Sequence, residues 1–141
     1  MYEHTINVPL IISGPGIPRG KRIDAQCYLR DLFPTTCQLA GIDIPPSVQG
    51  KSLVPLLTGN KQAIYSEVFG QFRNFQRMVR TDEWKYIYYP QLEKSQLFHL
   101  ATDPDERTNL SGKAEHAGIE NNLREKLQAW QRANDDPALK Q

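Results

Sequence analysis

The stretch "RMVRTDEWKYIYYP", Arg77 to Pro90, decides the fold. Two arms rich in branched and aromatic residues flank Asp82-Glu83, a polar pair suited to a tight turn, so the segment reads as a β-hairpin. Side chains alternate across a strand. Trp84, Tyr86 and Tyr88 therefore share one face, and Lys85, Ile87 and Tyr89 the other. Arg77, Arg80 and Lys85 are spread along the arms, where a solvent-facing side or cross-strand pairs account for them. Upstream, "AIYSEVF" from Ala63 alternates in the same way and predicts a preceding strand. Downstream, "QLFHL" at 96–100 predicts a following one. The sum is a small antiparallel sheet.

Working outward, "DPDERTNL" at 103–110 is a turn-rich exit. Turn chemistry and helix-entry charge explain Asp103, Asp105 and Glu106 better than a cation site does. A helix over 114–133 follows, with Ile119, Leu123, Leu127 and Trp130 on one apolar stripe that reads as a packing face. Toward the other end, Ile6 to Ile12 reads as a strand that "SGPG" at 13–16 stops. Its continuous "PLII" run suits a strand covered on both faces. "RDLFPTTCQLAGI" from Arg30 predicts a short buried helix. Asp31 serves as its N-cap, Pro34 lies in its first turn, and Gly41 closes it left-handed with Ile42 folding back. "KSLVPLLTG" from Lys51 repeats this grammar, with Ser52 as cap, Pro55 early and Gly59 at the end.

Composition narrows the function classes. The 141 residues carry a formal net charge of +1, which offers no electrostatic bait for nucleic acid or an anionic membrane. No apolar run approaches the roughly 18 residues of a transmembrane helix. The first residues lack the charged and apolar regions of a signal peptide, so compartment is not written in the chain. Cys27 and Cys37 are the only cysteines. They are too few for a disulfide framework, and no CxxC or HxxxH spacing offers a metal site.

Four pieces in order carry a resemblance: "MYEHTINVPLIISGPGIPRG" from Met1, "LRDLFPTTCQLAGIDIPPSVQGKSLVPLLTG" from Leu29, "SEVF…RMVRTDEWKYIYY" from Ser66, and "QLFHLATDPDERTNL" from Gln96. Together they resemble the C-terminal portion of the sulfatase family, over about residues 1–110. The resemblance implies an alkaline-phosphatase-like α/β fold; as an isolated piece the chain is of α+β class. Residues 1–60 would close the large α/β domain with a strand, a helix and a short helix. Residues 61–141 would form a small antiparallel-sheet subdomain with a C-terminal helix.

The resemblance also implies hydrolysis of sulfate esters. The nucleophile of such enzymes is a formylglycine made from cysteine or serine in a motif like CxPxR. A calcium ion held by Asp and Asn side chains positions the sulfate, and preorganised cations steady the developing charge. Cys27 stands in "CYLR" and Cys37 in "CQLAG", and neither matches that motif. No paired-aspartate segment is present, and the family's late catalytic lysine would fall just before Tyr2-Glu3. No catalytic residue and no metal ligand is therefore assigned to this chain, and alone it is predicted to be inactive. Calcium and formylglycine are expected in the complete enzyme, with an N-terminal catalytic part as the missing partner. For such a full-length protein the resemblance implies a periplasmic or secreted location.

Two substrate-binding candidates remain. His4, beside Tyr2-Glu3, carries an imidazole able to donate to an ester oxygen. Arg73, in "GQFRNFQR" between two strands and flanked by Phe72 and Phe75, is able to grip a sulfate or sugar carboxylate bidentately. His99 reads as structural, and His116 as part of a solvated helix start. Two further readings stand beside the sulfatase one. One is a fragment of a related phosphonate or phosphate ester hydrolase. The other is a free-standing, non-catalytic α+β module for binding or oligomerisation. Alone, the chain would expose its apolar first strand, which predicts self-association or a swapped N-terminal strand.

Overall fold

A computed structural model describes residues 1–139. The chain divides into two compact units, one of Met1–Val8 with Phe69–Gln141 and one of Pro9–Val68. The division falls eight residues beyond the expected 60/61 boundary, and the first eight residues go with the sheet unit.

The sheet is a four-stranded meander in the order β1-β2-β3-β4. Its strands are β1 (Val68–Phe72), β2 (Gln76–Arg80), β3 (Trp84–Tyr89) and β4 (Lys94–His99). The central hairpin forms as the alternation predicts. Thr81 N–H donates to Trp84 O at 2.9 Å. Trp84 N–H donates to Thr81 Oγ1 at 3.1 Å, which closes a two-residue loop at Asp82-Glu83. The register sets Val79 opposite Tyr86, Arg80 opposite Lys85 and Tyr86 opposite Leu97.

Both faces of the sheet are covered. On one, Val79, Tyr86 and Leu97 pack with Leu123 and Leu127 of α4 (Ala117–Ala133), and Trp84, Tyr88 and Trp130 lie at the margin. On the other, Met78, Ile87, Phe98 and Leu100 are packed by Met1, Tyr2 and Ile6. The first residues thus serve as a lid on the sheet. Within them Glu3–Ile6 forms a single helical turn, α1.

This corrects the strand expected over Ile6–Ile12. Residues 7–13 take no regular structure, and none of the four strands pairs with them. A strand exists through its ladder, and an apolar run without a partner edge does not make one. "AIYSEVF" is likewise strand only from Val68 onward. Tyr65 is spent elsewhere: its hydroxyl donates to Asp31 Oδ1 at 2.8 Å, and its ring lies 4.4 Å beneath the Lys51 ammonium.

The Pro9–Val68 unit holds α2 (Leu32–Leu39) and α3 (Val54–Leu57). Asp31 precedes α2 but does not cap it through its side chain. Asp31 ends a 3-10 turn in helical backbone, so its carboxylate points backward. There it accepts from Tyr28 N–H at 2.7 Å and Lys51 N–H at 2.9 Å. Gly41 closes the helix in the left-handed region, φ +69, and Ile42 N–H donates to Cys37 O at 2.9 Å. Ile42 itself stays largely exposed. Ser52 Oγ accepts from Val54 N–H at 3.2 Å, but the residue at the cap position of α3 is Leu53, so Ser52 stands one residue ahead of the cap expected of it.

Candidate functional site

Lys85 lies on the sheet face shared with Ile87 and is 0% exposed. A buried ammonium needs charge partners. Glu3 Oε1 stands 2.6 Å from Lys85 Nζ, and Glu106 Oε1 stands 2.8 Å from it. Arg80, opposite Lys85 in the register, reaches the same Glu3 carboxylate through Nε at 3.0 Å and Nη2 at 3.3 Å. Like charges facing each other across a ladder repel. Glu3 bridges the two cations and Glu106 adds a second negative charge at Lys85, which offsets that repulsion. Glu3 N–H also donates to Glu106 Oε2 at 2.5 Å.

The result is a four-charge knot that ties the first residues to the sheet. Burial pushes the Glu3 carboxyl up, but hydrogen bonds from Arg80 and Lys85 outweigh it and hold the group below its ordinary value. Next to the knot, Tyr2 and Tyr89 both donate through their hydroxyls to Gln96 Oε1, at 3.0 and 2.8 Å. Burial, then the Tyr2 contact, pushes Tyr89 up to about 12.

His4 is carried on this tied segment. Its ring is exposed and lies parallel to Tyr2, with centroids 5.7 Å apart and planes 11° from parallel. A cavity of about 250 Å³ is lined by Glu3, Asn7, Arg80, Asp82, Leu100 and Pro104, and His4 is not among its walls.

Arg73 sits in the turn between β1 and β2. Its backbone is left-handed, φ +46, and its guanidinium carbon lies 5.7 Å from the centre of the Phe72 ring. The turn is held from below. Arg77 Nη1 donates to Arg73 O at 2.6 Å and to Gln76 O at 2.9 Å. Its Nε and Nη2 fork onto Asp136 at 2.5 and 2.7 Å. Both Arg77 and Asp136 side chains are 1% exposed. Among the described residues no hydrogen bond, ion pair or ring contact joins His4 to Arg73; they belong to different parts of the sheet unit.

Sequence reasoning set Arg77, Arg80 and Lys85 on a solvent face or in cross-strand pairs, and the structure buries Arg77 and Lys85. The signal was the alternation itself, which puts Lys85 on the same side as Ile87 and Tyr89. A second cover for that side was not foreseen. Glu106 was read as turn chemistry, and it does sit in a turn at φ +53, but its carboxylate faces Lys85.

Calcium and formylglycine do not fit the residues present. Among the described residues no group of three or more His, Cys, Asp or Glu is placed to hold a metal ion. The Asp103 carboxylate accepts from the N–H groups of Arg107 and Thr108 at 3.0 and 2.8 Å, and Asp105 pairs with Arg107. Cys37 is buried, and burial pushes the Cys27 thiol above its ordinary value. A raised thiol pKa leaves Cys27 less of the thiolate form in which a cysteine attacks.

Comparison with known proteins places this architecture. The model of the family "N-sulphoglucosamine sulphohydrolase, C-terminal" matches residues 1–133. Arylsulfatase K of Mus musculus is 40% identical over an alignment of 125 residues that covers 79% of this chain and 23% of that protein. A solved 2-O GAG sulfatase superposes with a TM-score of 0.75 at 29% identity, over 92% of this chain and 30% of that one. A phosphonate monoester hydrolase from Silicibacter pomeroyi shares the fold at a TM-score of 0.73 and 22% identity, over 90% of this chain and 29% of that one. The chain thus spans about a quarter of the length of the curated relative it matches. A meander backed by one long helix, with a match over nearly all of its length, shows that the chain belongs to the family of sulfatase C-terminal domains.

Proposed function

We propose that this chain acts as the C-terminal domain of a sulfuric ester hydrolase, with formylglycine and calcium supplied by an N-terminal catalytic part. The family match over residues 1–133 carries this reading. The charge knot gives the domain a mechanical role in it. Lys85, Arg80 and Glu106 fix Glu3, and so the segment bearing His4, to a covered sheet. A held imidazole donates to a sulfate ester oxygen at less entropic cost than a free one. The names of the relatives favour a sulfated glycan as substrate class, in which case Arg73 meets a different sulfate of that glycan from the ester at His4. The phosphonate hydrolase supports the fold alone. The 40% identity to an arylsulfatase favours sulfate over phosphonate.

Hydrolysis of a chromogenic aryl sulfate tests the proposal. The purified 141-residue chain should show no turnover with or without calcium. The in-frame product that includes a CxPxR segment should turn over, and His4→Ala should lower its kcat/KM by about tenfold, the scale of one charge-assisted hydrogen bond. Turnover by the chain alone would overturn the division of labour. An upstream frame with a plain Ser or Thr nucleophile and two-metal ligands would move the reaction to phosphate or phosphonate esters.

A further inference from the structure

The β1–β2 turn spends buried charge on an exposed tip. Arg73 holds a left-handed backbone, φ +46, that non-glycine residues adopt at a cost. The Arg77–Asp136 fork, fully desolvated and braced by Gln131 Nε2 donating to Asp136 Oδ2 at 3.0 Å, fixes the Arg73 carbonyl from inside. A turn needing only to reverse the chain would place Gly or Asn there. What the fork fixes is a surface of one cation and two rings. Phe72 is 51% exposed and Phe75 45% exposed, with centroids 6.3 Å apart and planes tilted by 39°. No carboxylate of the described residues pairs with Arg73, whereas five of the ion pairs in the sheet unit use Arg77, Arg80 or Lys85 or sit on Arg107. Its guanidinium is left for an outside anion.

We propose that the Phe72–Phe75 tip is a binding platform for one sulfated sugar unit, the sulfate held by the Arg73 guanidinium and the pyranose C–H face laid on the rings. A guanidinium offers two parallel N–H donors to a sulfate, which a flexible ammonium does not. The negative face of an aromatic ring attracts polarised C–H groups. This platform rests on the sulfatase reading for its ligand class and adds a site that the catalytic assay does not probe. A protein partner would use the rings but has no need of an unpaired cation at their edge, and the test separates the two.

The experiment is a ¹⁵N and aromatic NMR titration of the full 141-residue chain. The probe is a glycosaminoglycan tetrasaccharide with 2-O-sulfated uronate, and its desulfated counterpart is the control. The expected result is saturable shifts confined to residues 72–75 with the sulfated probe. Affinity should fall about tenfold in Arg73→Asn, which removes the cation but suits the left-handed backbone, and severalfold in Arg73→Lys and Phe75→Ala. Equal binding of the desulfated probe, unchanged affinity in Arg73→Asn, or no saturable shift at the tip would overturn the platform. Binding at the tip without hydrolysis in the longer protein sinks the catalytic reading and leaves the platform. Hydrolysis without binding at the tip does the reverse.

Discussion

Lys85 is held between Glu3 and Glu106 with its ammonium wholly out of water. Removing one partner of a buried charge group costs more than the group contributes, because the other charges stay buried and unpaired. Lys85→Met should therefore lower the unfolding free energy by about 3–5 kcal/mol in urea denaturation. Lys85→Met with Glu106→Gln should recover part of that loss. A loss under about 1 kcal/mol would show that water reaches the knot. Asp136 gives a pH-dependent counterpart. The hydrogen bonds from Arg77 hold its carboxyl at about 2, against burial. A depressed folded-state pKa contributes stability above the unfolded value and loses it as pH falls toward the folded value. The contribution of Asp136 should fade between about pH 4 and pH 2 and amount to about 2 kcal/mol. Glu3 and Glu120 shift in the same direction, so Asp136→Asn should flatten the acid limb of the melting curve without abolishing it. An unchanged slope in that variant would count against the buried fork.

At the scale of elements, α4 closes one face of the sheet and the first six residues close the other. Leu127 is 1% exposed and meets the Val79, Tyr86 and Leu97 layer, while Ile119 on the same stripe lies near the helix start and stays open. Leu127→Ala should cost about 2–5 kcal/mol and Ile119→Ala under about 1, both read from chemical denaturation. Equal costs would mean that the stripe does not pack as described. The stripe and the hairpin were legible because each combines a clean period with an end signal: Asp82-Glu83 for the turn, repeated three- and four-residue steps for the helix. The strand over Ile6–Ile12 was not, because an apolar run says that a segment is to be covered, not by what. Lys85 and Arg77 lie deeper than a solvent face for a related reason. Alternation assigns a face, and only the fold shows that Met1, Tyr2 and Ile6 cover the face of Lys85, while Asp136, beyond α4, meets Arg77 on the opposite face, that of Val79. Of the candidate site, the sequence singles out His4 by its place beside Tyr2-Glu3 and Arg73 by its place between two strands, and their substrate-binding roles are proposals. The fork that fixes Arg73 spans residues 77 and 136, a separation over which single-sequence patterns carry no signal.

At the scale of the whole molecule, the exposed segment after α1 bears on a prediction about how the chain behaves in solution. Val8 is 66% exposed and Ile11 90% exposed, in a stretch with no ladder partner among the described residues. Exposed branched side chains on an extended segment outside any ladder make a template for another chain. Each apolar Å² removed from water contributes about 25 cal/mol, so a few such side chains buried against a second copy suffice for weak association. The mass measured by light scattering should therefore rise with concentration. Val8→Asp with Ile11→Asp should return it to the monomer value, because a carboxylate resists burial without a partner. The same pair of substitutions distinguishes two covers for the segment. In a longer sulfatase with the run already buried, the variant should unfold at lower temperature while the unaltered protein shows no concentration dependence. In the 141-residue chain the variant should keep its melting temperature and lose only the association. A constant monomer mass for the unaltered chain across the concentration range would show that the exposed run is tolerated by solvent, and the self-association reading would fall.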